Sequence, residues 1–69
     1  MDKQDIKLFR HFLEMTQEEF ADLIDCKTVT VGRWERGEFE PHRLYVKKIK
    51  ELMSDYGFDL RRPKGNKEP

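Results

Sequence analysis

Residues 28–37 read T-V-T-V-G-R-W-E-R-G. Wound as a helix with Val31 and Trp34 inward, the run turns Thr28, Val29, Gly32 and Arg33 outward. That outward set offers a hydroxyl, a branched apolar group, bare backbone and a guanidinium. These are groups for binding rather than for bond-making: a guanidinium is a planar fork of donors that fits paired acceptors. Elsewhere the chain has no nucleophile beside a base and no glycine-rich phosphate loop. His11 and His42 lie far apart in sequence, and Cys26 has no second cysteine, so a metal site lacks ligands. The carboxylate of Glu19 is explained by helix capping. The residues therefore point to no catalytic group, no metal and no cofactor, but to a recognition surface.

That surface exists only if residues 28–36 are helical. The alternation of Thr and Val at 28–31 also fits a strand, and Gly32 weakens a helix. No other alternating run occurs in the chain, so a strand here would have no partner for its backbone groups. The helix is therefore expected, begun by Lys27 or Thr28 and closed by Gly37 in the left-handed conformation. Three further helices should position it. Ile6, Phe9 and Leu13, widened by Leu8 and Phe12, have helical spacing over 3–13, with Asp2 or Asp5 at the favourable end of the dipole. Thr16 and Glu19 form a capping box ahead of Gln17–Ile24, which turns Phe20, Ala21 and Ile24 to one side. Residues 42–56 repeat apolar side chains at Tyr45, Ile49, Leu52, Met53 and Tyr56, with Gly57 as the stop. Residues 1–57 thus read as one domain and 58–69 as a flexible tail, with Phe58 and Leu60 tucked in.

Composition agrees with a single small all-α domain. The chain has 69 residues, 36% apolar and 41% charged, enough for one compact core. No apolar run is long enough for a signal peptide or a membrane span, which points to a cytoplasmic protein. Cys26 reads as a small buried hydrophobe. Net charge is zero, but unevenly spread. Residues 1–25 carry three basic and seven acidic side chains, and residues 26–69 carry eleven and seven. A polyanion should prefer the second part.

Two short helices joined by about three residues make a helix-turn-helix. The stretch TQEEFADLIDCKTVTVGRWERGEFEP resembles the lambda-repressor/Cro-like (XRE-type) family. The likeness rests on Thr16-Gln17-Glu18-Glu19, Ala21, Val31, the W-E-R-G run at 34–37 and Pro41, and covers roughly residues 4–56. It implies a four- to five-helix all-α DNA-binding domain. It also implies a sequence-specific transcriptional regulator of repressor type, acting at the nucleoid with helix 28–36 in the major groove of double-stranded DNA. By the same resemblance the inward carboxylate of Glu35 should pair with Arg10.

On this reading Thr28, Val29, Gly32 and Arg33 contact bases. Arg33 forks onto guanine O6 and N7, and Thr28 and Val29 touch a thymine methyl. Gly32 either lets backbone approach the DNA closely or is a neutral gap. Gln17, Lys27, Arg36, Arg43 and Lys47 are expected at phosphates, the alternative being ordinary solvated charges. A single unit buries little DNA surface, so a homodimer is expected, joined through the fourth helix and the Phe58–Leu60 segment. The rival reading is a protein-interaction module or antitoxin-type protein on the same fold, using the acidic second helix or exposed Phe39. The sequence departs from the family pattern in three places. Asp25 stands at a turn position that commonly holds glycine and should take the left-handed conformation. Lys27 stands where a Ser or Thr cap is usual, which weakens the start of that helix unless Thr28 caps instead. Glu38-Phe39-Glu40 forms an acidic loop.

Overall fold

The computed structural model describes residues 1–58. Over them the chain forms four α-helices: α1 (Lys3–Phe12), α2 (Gln17–Ile24), α3 (Thr28–Arg36) and α4 (Arg43–Asp55). There is no strand among the described residues. The Thr-Val run is helical, so tertiary packing overrides the β-propensity of its branched side chains.

The helix ends follow local chemistry. At α1 the Asp5 carboxylate accepts from the Asp2 backbone N–H at 2.9 Å. At α2 the box closes both ways: Glu19 N–H donates to Thr16 Oγ1 at 3.1 Å, and Thr16 N–H donates to the Glu19 carboxylate at 2.8 Å. Asp25 ends α2 in the left-handed region, φ 66°, as Asp tolerates. Gly37 ends α3 with φ 79°. Lys27 holds the cap position of α3 without a side-chain hydrogen bond, and Thr28 is already helical. Of the two possible starts the structure has Lys27, and Thr28 does not cap: a residue in the first turn has left the extended conformation that capping needs. The fourth helix is also shorter than 42–56. His42 is its cap, Nδ1 accepting from the Leu44 N–H at 3.2 Å, and Tyr56 follows its end, half exposed.

Each helix contributes one face to a common core. Ile6 and Phe9 come from α1; Phe20, Ala21 and Ile24 from α2; Val31 and Trp34 from α3; Ile49 and Met53 from α4. All are nearly inaccessible. Each fully buried large apolar side chain contributes about 1.5–3 kcal/mol, and no single short helix holds enough of them to stand alone. Phe9 sits at the centre of the aromatic packing, edge-on to Phe20 at 6.0 Å and beside Phe58 at 5.2 Å. Phe58 thus packs on the helices; Leu60 and the rest of the expected tail lie outside the described residues. Cys26 is partly buried against the core, and burial, with the charge of Asp25, pushes its thiol pKa up. α3 rests on α2 and α1, and α2 on α4.

Candidate functional site

The position of α3 is fixed by a polar network as well as by the core. Arg10, on α1, donates from Nε to Glu35 Oε2 at 2.7 Å and from Nη2 to Glu35 Oε1 at 2.9 Å. Its Nη1 donates to the Met15 carbonyl at 2.9 Å, in the turn between α1 and α2. Gln17, at the start of α2, donates from Nε2 to Glu35 Oε1 at 3.0 Å. One carboxylate on α3 is thereby held by α1 and α2 together. The two charged side chains are 11% and 5% exposed, so the pair is shielded from solvent screening. Burial alone pushes the Glu35 carboxyl up. The hydrogen bonds from Arg10 and Gln17, with the charges of Arg10 and Lys7, outweigh it and hold the pKa below the usual glutamate value. The hydrogen bond to Glu35 likewise raises the Arg10 pKa, against the effect of burial.

Sequence reasoning placed Gln17 at a phosphate through the amides and dipole at the start of α2, and missed its side chain as part of this network. In the structure the Gln17 amide N–H is spent on Glu35. What Gln17 still offers an anion is its backbone N–H, in the first turn of α2, where amides lack intrahelical partners. A glutamine one residue after a cap, beside a buried carboxylate on the next helix, is the signal that was available.

With Val31, Trp34 and the Glu35 side chain turned inward, the opposite side of α3 is open. Thr28, Val29, Arg33 and Arg36 are all exposed, Val29 by 53%. Gly32 is not part of that open surface and is corrected: it is buried. A Cβ built there would lie 3.3 Å from Arg36 Nη1 and 3.5 Å from Gln17 Oε1. The helix register turns Gly32 toward the edge facing α2, and the long side chains of Arg36 and Gln17 close over it. Lys27, at the start of α3, and Arg43 and Lys47, on α4, are exposed.

Two contacts after α3 were not foreseen. Arg36 Nε donates to Glu38 at 2.7 Å across the Gly37 turn. The Arg33 guanidinium lies over the Phe39 ring, 5.7 Å from its centre. Phe39 is itself 58% exposed.

Among the described residues no helix is long and apolar enough to cross a membrane. Comparison with known proteins places the chain on one family. No curated protein and no solved structure matches it. The helix-turn-helix family HTH_3 matches residues 10–53, more than half of the chain, from Arg10 of the polar network to Met53 of the core. With four helices and a second pair joined by a three-residue turn, the chain belongs to the XRE/lambda-repressor-like helix-turn-helix family of DNA-binding domains.

Proposed function

We propose that this chain is a sequence-specific repressor that lays α3 in the DNA major groove. One observation carries the reading. α3 is anchored on its inner side by Val31, Trp34 and the Arg10–Glu35–Gln17 network, and its outer side presents Thr28, Val29 and Arg33 to solvent. A rigid helix with an exposed guanidinium is what guanine O6 and N7 require. Thr28 and Val29 flank Arg33 and suit a thymine methyl. Lys27, Arg43 and Lys47, with the backbone amide of Gln17, supply phosphate contacts and set the register, and Arg36 joins them only as far as its ion pair with Glu38 opens. Gly32, lying beneath Arg36 and Gln17, contributes as backbone rather than as a contact surface. The protein works in the cytoplasm, on nucleoid DNA, as a homodimer on a two-fold operator.

A second surface favours a protein partner. Leu8, Phe12 and Tyr56 are each about half exposed. Phe12 and Tyr56 border the Phe9–Phe58 packing, with Phe12 5.0 Å from Phe58 and Tyr56 6.5 Å from Phe9. Homodimerisation or an antitoxin-like contact would cover them.

The test is fluorescence anisotropy on duplexes selected from a randomised pool. Arg33→Ala is expected to lose discrimination while keeping weak, salt-sensitive binding. Binding by the wild type that does not weaken with salt would refute the DNA reading, because each phosphate contact adds about 0.9 to the log–log salt slope.

A further inference from the structure

The Gly37 turn brings Glu38 and Phe39 back onto the outer side of α3, where they engage the two exposed arginines in different ways. Arg36 is seated: its Nε is bound to Glu38 at 2.7 Å, and its Nη1 lies 3.3 Å from where a Cβ on Gly32 would stand. The carboxylate consumes a donor and cancels a charge that phosphate would otherwise take. The hydrogen bond and charge of Arg36, and the charge of Arg33, hold the Glu38 pKa below its usual value, so Glu38 is ionised at neutral pH. Arg33 is treated differently. Phe39 meets its guanidinium with the ring. Among the described residues the Arg33 side chain makes no hydrogen bond, so its in-plane N–H donors stay available. A ring contact restricts a flexible side chain without using the donors that read a base.

We infer that the Glu38–Phe39 loop sets selectivity: Phe39 is a positioning residue that aims Arg33 at a base pair, and Glu38 is a brake that withholds Arg36 from phosphate. The inference rests on the DNA-binding reading above. Both effects act in one direction. Phosphate contacts are shared by all sequences and base contacts are not, so weakening the first and steadying the second widens the gap between specific and non-specific DNA.

The experiment compares full-length variants by anisotropy on two duplexes: one selected by the wild type and a scrambled one of equal length, each over a salt series. Phe39→Ala should weaken the selected duplex about 2–5-fold, the size of an exposed cation–π contact, and leave the scrambled one unchanged. Phe39→Trp should restore the difference. In an Arg33→Ala background, Phe39→Ala should change nothing further. Glu38→Gln should tighten both duplexes about 2–5-fold, the size of an exposed ion pair, and steepen the salt slope by about one. Wild-type discrimination with no shift on Glu38→Gln, or with equal loss on both duplexes for Phe39→Ala, overturns the inference alone. A wild type that binds neither duplex overturns the DNA-binding reading and the inference with it. Because Glu38 and Phe39 are exposed, thermal melts of these variants should match the wild type.

Discussion

Replacing Glu35 with Gln keeps the shape of the side chain and removes its charge. Three donors now converge on the carboxylate: Arg10 Nε, Arg10 Nη2 and Gln17 Nε2. A glutamine has one acceptor oxygen, so its NH2 group must face at least one of those donors. Arg10 then keeps the Met15 carbonyl but loses its counter-charge, with its side chain 11% exposed. Breaking a buried pair by removing one partner costs about 3–5 kcal/mol. The retained Met15 bond and the residual exposure of Arg10 place this case at the lower end, about 3 kcal/mol. For a domain of this size, 1 kcal/mol moves Tm by about 4–8 °C, so the variant should melt about 12–24 °C below the wild type. Circular dichroism melts at pH 7 measure this. The double variant Arg10→Met/Glu35→Leu removes both charges and should recover a large part of the loss. Melting of Glu35→Gln within about 2 °C of the wild type would refute the claim that this network holds α3 in place.

Three further outcomes follow from the same geometry. The Glu35 pKa is lower in the folded chain than its usual value. Its stabilisation is therefore full above about pH 4.3 and is lost as pH falls through the folded value. The Tm gap between wild type and Glu35→Gln should shrink in acid; a gap that grows would contradict the assignment. Gly32→Ala should raise stability by about 0.5–1 kcal/mol, the cost of glycine inside a helix, because the nearest atoms to the new methyl are the movable ends of Arg36 and Gln17. A lower midpoint in urea would show that these side chains cannot give way. Ala21 is buried in the core, 1% exposed. Ala21→Leu should cost about 1–3 kcal/mol by overpacking, read as a lower urea midpoint.

The sequence by itself carried the helices and their ends, because those depend on neighbours three or four residues away. The Thr16–Glu19 box, the left-handed Asp25 and Gly37, and the apolar faces of α1 and α2 are all local patterns, and the structure has each of them. The Arg10–Glu35 partnership came from family resemblance, since 25 residues separate the two and no periodicity links them. The strand-like Thr-Val run became a helix because only packing on α1 and α2 gives it a buried face.

Tertiary structure alone decided what covers what. Gly32 looks outward on a helical wheel, yet it is buried, because a wheel shows direction from one axis and not the reach of Arg36 and Gln17. Gln17 looks free at a helix start, yet its amide serves Glu35 across the gap between α2 and α3. The turn at Gly37 folds Glu38 and Phe39 onto the arginines before them. Short-range order is written in residue spacing. Contacts between side chains on different elements depend on how those elements lie in space, and that is settled only when the core closes.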